Sequence, residues 1–351
     1  MNRWREWLRA YWRGDADRWW LAGAALALAI ALLGPHARLE QPLFEQVVVF
    51  DITQSMNVED MQRGGKPVSR LRFAKQALRD ALLQLPCGSK VGWGIFTEYR
   101  SFLLFAPIEV CANLAELRES LDPIDNRMAW VGASEIAKGL HSGIGIAREL
   151  PGRPALVFVT DGQESPPVNP LHRPPFDGKA GEVKGLVVGV GDDVPSPIPK
   201  SDPQGRPLGY WGADEVMQVD PRELGRGASV GGEKMTEDPG ASAPPLPGAT
   251  PGSEHLSSLR EAYLRLLAQE TGLAYLRLGD EHELVAALTA PALARPVDAD
   301  ADLRFVPALV ALLALLARHL RLRGLRLGGL RLGGVRRVGY NARTGIQDPI
   351  H

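Results

Sequence analysis

Cysteine is scarce in this chain of 351 residues: there are two, Cys87 and Cys111, too few for a cysteine-based zinc site. The seven histidines form no H-E-x-x-H pair, and no G-x-x-x-x-G-K-S/T loop occurs. Gly189-Val190-Gly191 lacks the third glycine of a dinucleotide fingerprint. Ser55 has no histidine placed by the sequence to activate it as a nucleophile. These absences remove the common catalytic signatures, and the chain is expected not to be an enzyme, with a metal-dependent hydrolase as the remote alternative. An excess of charge of one sign is also missing. Forty basic against 41 acidic side chains give a net charge of −1, which excludes a broadly basic nucleic-acid binder if the charge is evenly spread.

It is not evenly spread. Residues 1–18 carry +2 and residues 318–351 carry +7, which leaves −10 for the stretch between them. Two uncharged apolar segments stand at the joins. Trp19 to Gly34 is 16 residues long, opens on the interfacial pair Trp19 and Trp20, and nearly crosses a bilayer core of about 30 Å. It reads as a retained signal anchor over 19–35, since no small-x-small cleavage site follows it. Phe305 to Ala317 is shorter, 13 residues, a length that fits a buried or amphipathic helix as well as a span. Snorkelling of Arg304 and Arg318 extends it to a second membrane helix over 305–320. Basic ends beside both segments place both termini in the cytoplasm and the acidic middle outside. The tail, 321–351, repeats Leu-Arg-Leu-Gly-Gly, a unit too glycine-rich for a stable helix, and reads as a solvated or headgroup-attracted tail or a docking strip.

Between the segments, buried-strand runs alternate with helical patterns, the signature of a parallel sheet covered by helices. The runs are 46–50, 90–97, 101–106, 154–160, 185–191 and 273–278, six strands in all. Glu98, Tyr99 and Arg100 alone separate the second from the third, so that pair is an antiparallel hairpin. Helices are predicted from Ser69, which caps one that Pro86 ends, and over 113–121, 134–150 and 257–270. One domain, 40–290, results. Its 221–254 stretch, dense in Gly, Pro, Ser and Ala, reads as a disordered insertion.

Just past the first strand stand Asp51, Thr53 and Ser55. An Asp and two hydroxyls at alternate positions point the same way in an extended chain, outside the carboxyl end of a sheet strand, where open α/β sheets bind ligands. The alternative for such a triplet is helix capping. Ser134, at the start of a helix, and Asp161, directly after strand 154–160, fall at the same end of the sheet. The five residues make an all-oxygen, hydroxyl-rich set suited to Mg2+ or Mn2+, with Ca2+ as an alternative.

These motifs, DITQS, ASEIAKGL and TDG, resemble the metal-ion-dependent adhesion site of von Willebrand factor A domains. The resemblance implies a doubly wound, mostly parallel six-stranded sheet with one antiparallel edge strand. It further implies that hydroxyls of Thr53, Ser55 or Ser134 contact the ion, that Asp51 and Asp161 act through water, and that a partner's carboxylate completes the shell. Thr53 stands where Ser is usual and Ser134 where Thr is usual. FDITQSMNVEDM, SRLRFAKQAL and PIPKSDPQGRPLGYW are similar to membrane-anchored A-domain proteins encoded beside MoxR-type ATPases, including the aerotolerance (Bat-type) group. CGSKVGWGIFTEYRSFLLFAPIEVCANLAEL and RMAWVGASEIAKGL resemble the Mxa type of methanol-oxidation clusters. The function so implied is a membrane-anchored, metal-dependent binding module on the periplasmic face of a bacterial inner membrane. It would assist assembly or metal insertion of periplasmic methanol dehydrogenase with a MoxR-type AAA+ ATPase. The alternative is an envelope-stress scaffold whose partners are other A-domain membrane proteins.

Cys87 lies 12 residues before Tyr99, the centre of the hairpin, and Cys111 lies 12 after it. Both therefore emerge at the hairpin's open end, where they form either a disulfide or two buried free thiols.

Overall fold

Val47, Val48, Val49 and Phe50 are consecutive and all buried. A strand hidden on both faces needs cover on both, and the rest of the chain supplies it. The computed structural model describes residues 3–129, 132–202, 204–219, 247, 252–279 and 281–329. The chain opens with α1 (Arg3–Leu32), β1 (His36–Leu43) and β2 (Glu45–Asp51). A 3-10 turn at Gln54–Asn57 and the ribbon of β3 (Met61–Arg63) and β4 (Lys66–Val68) lead to α2 (Arg70–Leu82). Next come β5 (Lys90–Thr97), β6 (Arg100–Glu109), α3 (Leu114–Glu119), α4 (Ile136–Glu149), β7 (Ala155–Thr160) and β8 (Gly185–Gly189). Four short strands follow, β9 (Ser196–Pro197), β10 (Pro199–Ser201), β11 (Pro207–Tyr210) and β12 (Leu256–Ser257), before α5 (Glu261–Thr271). The chain continues through β13 (Ala274–Arg277), α6 (Glu281–Leu288), β14 (Arg295–Asp302) and α7 (Phe305–Gly329).

Six strands form one sheet in the order β13-β8-β7-β2-β5-β6, all parallel except β6, which runs antiparallel to β5 at the edge. Alternate residues of each strand enter opposite layers. Val48, Phe50, Trp93, Ile95, Val157 and Val188 pack under α2 and α6, while Val47, Val49, Phe96, Phe158 and Val187 pack under α4 and α5. On the second face α4 lies so close that a Cβ on Gly139 would sit 2.1 Å from the Phe96 ring. A side chain there overpacks the layer, at a cost of about 1–3 kcal/mol.

Local chemistry explains the element ends. Ser69 caps α2 by accepting a hydrogen bond from Arg72 N. Thr97 pairs with Arg100 across a two-residue turn in which Glu98 adopts a φ of 59°. Two helices start later than their periodicity predicts. Ser134 is not in α4, because its N–H donates to Ser165 O and its carbonyl accepts from Ser165 N. Ser257 is not in α5, because it pairs with Ser196 in the β9–β12 ribbon.

The chain divides into two compact units, Glu40–Val297 and the pair Met1–Leu39 with Asp298–His351. In the second, α1 ends and α7 begins side by side, with Leu303 N donating to Pro35 O, and the helices pack through Ala24, Ala27, Ala311 and Ala314. Leu26, Leu28 and Ile30 on α1, and Leu309, Leu312, Leu313 and Leu316 on α7, face outward and are exposed. Among the described residues no helix is long and apolar enough to cross a membrane. The expected spans at 19–35 and 305–320 are thus corrected to the apolar portions of two helices. In each, charge closes in on too short a run: Asp15, Asp17 and Arg18 on one side, Arg318 and Arg321 on the other. Residues 1 and 2, most of the insertion expected at 221–254, and the tail beyond Gly329 lie outside the described residues. Gly252–Glu254, read as part of that insertion, are ordered, and Glu254 is buried.

Cys87 and Cys111 are joined by a disulfide, with their Cα atoms 5.3 Å apart. The bridge closes the open end of the β5–β6 hairpin and restricts the unfolded chain. Replacing both cysteines by serine should lower stability by about 3 kcal/mol in the chain-entropy account, a loss to be read from denaturant unfolding of the two proteins side by side.

Candidate functional site

At the carboxyl end of β2 the chain does not stay extended. Asp51 is the last residue of the strand, and Thr53 N donates to Asp51 Oδ1 at 2.9 Å, which turns the backbone into the 3-10 turn that carries Ser55. The convergence expected from strand alternation is therefore produced by an Asx turn. Thr53 Oγ1 and Ser55 Oγ come to 3.4 Å of each other. The neighbouring strand repeats the device. Gln163 N donates to Asp161 Oδ1 at 2.9 Å, and Gly162 between them adopts a φ of +82°, where a Cβ would also press on Arg260 and Leu264. The two turns are joined by Thr160, whose hydroxyl donates to Asp51 Oδ2 at 2.6 Å and accepts from Gly162 N.

Ser134 arrives from the other direction, in single bridges to Glu98 at the hairpin turn and to Ser165. Its Oγ is buried and has no hydrogen-bond partner among the described residues. Thr53, Ser55 and Ser134 line one side of a cleft of about 270 Å3. Asp51 and Asp161 do not line it; both are fully buried behind the hydroxyls. All five predicted residues are thus at one end of the sheet, with the hydroxyls in front of the carboxylates.

Several further residues belong to the site and are not assigned to it by the sequence analysis. Arg70, at the first turn of α2, is buried and donates to Asp161 Oδ2 at 2.6 Å and to both oxygens of Asp60. Burial opposes its charge, but Asp161 and Asp60 outweigh burial and hold its pKa above the ordinary value. Glu164 accepts from Ile136 N and Ala137 N, the otherwise unpaired donors at the start of α4, and from the Tyr263 hydroxyl. It thereby fixes the helix that follows Ser134. The opposite side of the cleft belongs to the segment between β8 and α5, through Ile198, Trp211, Val216 and Met217. Trp211 Nε1 donates to Gln54 Oε1, inside the DITQS motif, and the Lys200 ammonium stands 4.4 Å above the Trp211 ring. Of these only Glu164 was within reach of sequence reasoning, as the acid that follows TDG.

Burial, with Asp161 adding like charge, pushes the Asp51 carboxyl up to about 7. A cation beside it reverses that preference. Among the described residues no group of three or more His, Cys, Asp and Glu side chains is placed to hold a metal, so an ion at this site depends on the hydroxyls. The buried, unpartnered Ser134 Oγ and the adjacent Thr53 and Ser55 hydroxyls fit a hard divalent ion of the Mg2+ kind, a cation that takes oxygen ligands and keeps several waters.

No protein-family model and no curated protein matches the sequence. Solved structures do. An aerotolerance-related membrane protein of Bacteroides fragilis is 17% identical over 71% of this chain and 98% of its own, with a TM-score of 0.42. BatB of Bacteroides thetaiotaomicron is 18% identical over 71% of this chain and 96% of its own, also at 0.42. A von Willebrand factor type A protein of Catenulispora acidiphila is 12% identical over 72% of this chain and 42% of its own, at 0.36. Likeness of this degree carries no function across. The geometry of the site has to do so.

Glu164 provides a test of the scaffold. Burial raises its carboxyl from 4.5 to about 7, so the folded protein holds a proton that the unfolded chain releases. Its contribution to stability is present in full below pH 4.5 and is lost as pH rises through about 7. The thermal midpoint, measured from pH 4.5 to 7.5, should fall less steeply in Glu164→Gln than in the wild type.

Proposed function

We propose that this chain is a metal-dependent protein-binding module of the von Willebrand A type, and not an enzyme. The observation that carries the reading is the layered site: three hydroxyls facing a cleft, two buried carboxylates behind them, and one hydroxyl, Ser134 Oγ, with no partner among the described residues. Thr53, Ser55 and Ser134 would hold a Mg2+ or Mn2+ ion, and Asp51 and Asp161 would act through its waters. The ion would supply a Lewis-acidic position for an oxygen ligand, and an acidic side chain of a partner protein would fill it. The strand order and the single antiparallel edge strand support the family reading independently of the site.

Membrane attachment belongs to the same proposal. The α1–α7 pair turns its alanines inward and its leucines outward, as helices do in an apolar medium. The finer role, assembly or metal loading of methanol dehydrogenase beside a MoxR-type ATPase, rests on the Mxa-like stretches at residues 87–117 and 127–140. The aerotolerance scaffold rests on the Bat-like stretches at 50–61 and 69–78.

Asp51→Asn keeps the acceptor for Thr53 N and removes the charge. Its affinity for Mn2+ should fall about 10–100-fold, and it should lose the partner that the wild type captures from solubilised membranes only when chelator is absent. Unchanged capture by Asp51→Asn, or capture by the wild type that ignores chelator, refutes the proposal. The identity of the captured protein separates methanol dehydrogenase from a paralogous A-domain protein.

A further inference from the structure

A guanidinium with no access to water stands directly behind the site. Arg70 spreads its donors over Asp161 Oδ2, Ser257 Oγ and O, Ser55 O and the Asp60 carboxylate. Asp60 in turn accepts from Asp192 N, where the chain leaves β8 for the segment from which Ile198, Trp211, Val216 and Met217 line the cleft. Ser257 closes that same segment just before α5. Arg70 therefore contacts the ion-site loops and one end of the segment that lines the cleft's other side, at Ser257, and reaches the other end, at Asp192, through Asp60.

Two carboxylates, Asp161 and Asp60, hold the Arg70 guanidinium, and a third, Asp51, is tied to the same end of the sheet through Thr160, while the nearby Arg260 and Glu254 pair with each other and cancel. We propose that Arg70 is a resident cation that sets the charge of the ion site. This rests on the reading of the site as a seat for a divalent ion. With Arg70 in place, the ionised set carries −2, which a divalent ion balances, so the filled site is neutral and still accepts a partner's carboxylate. Without it the set carries −3, which holds the ion harder and repels a further carboxylate. The hydroxyls in front add no charge, so the ion's hold and its appetite for an anionic ligand are both governed from behind. Arg70 is a positioning and charge-setting residue and does not itself face the cleft.

A purely structural ion pair and a charge-setting one predict different signs. Titration of the full-length chain in detergent with Mn2+ separates them. Arg70→Gln should bind Mn2+ at least about tenfold more tightly than the wild type, because a repelling charge has gone. Asp60→Asn, which leaves the guanidinium less compensated, should bind it several-fold more weakly. Arg70→Lys, which restores the charge, should return the affinity to within a few-fold of wild type. If Arg70→Gln does not fold alone, recovery of its folded state by added Mn2+, at concentrations that shift the wild type little, is the same result. As a second readout, the broadening of the acetate NMR line by protein-bound Mn2+ should be smaller for Arg70→Gln than for the wild type. An unchanged or weakened Mn2+ affinity in Arg70→Gln overturns the inference. Failure of the wild type to bind Mn2+ overturns the ion seat itself, and shows before any substitution at Arg70 is considered.

Discussion

Asp51 has no access to water, and everything at the functional end of the sheet is arranged to make that tolerable. Thr53 N and the Thr160 hydroxyl donate to it, one from its own loop and one from the next strand. Each bond also shapes the chain that supplies it. The first bends the DITQS loop so that two hydroxyls lie together. The second ties β2 to the TDG turn, where Asp161 repeats the arrangement. A buried carboxylate is costly to keep ionised, and burial duly raises its pKa. The same burial makes the site receptive to a cation, since positive charge beside the hydroxyls relieves what the protein alone does not.

The sheet was legible from the chain because buried parallel strands are continuous apolar runs. QVVVF, ALVFVT and GLVVG stand out from any helix by length and by β-branched content, and the two-residue turn at Glu98 and Tyr99 marks the edge hairpin. The gathering of Asp51, Thr53, Ser55, Ser134 and Asp161 at one end of the sheet was legible because each stands just past a predicted strand or at the start of a predicted helix. Arg70 was not. It follows a helix cap in a sequence that looks like an exposed, basic first turn, and only the fold shows that Asp60, Asp161 and Ser257, up to 187 positions away, close around it. The starts of α4 and α5 were misplaced for a related reason. Ser134 and Ser257 are good capping residues by type, but each has its backbone engaged in a ribbon or bridge.

The apolar ends show where composition misleads. Sixteen uncharged residues beside tryptophans look like a membrane span, yet the helix that contains them also contains Asp15, Asp17 and Arg18, and its apolar part is too short to qualify. What the two helices do have is a division of labour, alanine between them and leucine outside, that a list of charges does not reveal.

The cleft has two sides of different origin. The hydroxyl side is built into the sheet: Ser134 is clasped to the turn of the β5–β6 hairpin, and that hairpin is fastened at its other end by the Cys87–Cys111 bond. The facing side is an excursion between β8 and α5, held down by Trp211 on Gln54 and by the ends gathered at Arg70 and Asp60. Side chains on the facing excursion can therefore change without disturbing the strand ends and turns that hold Thr53, Ser55 and Ser134 in place.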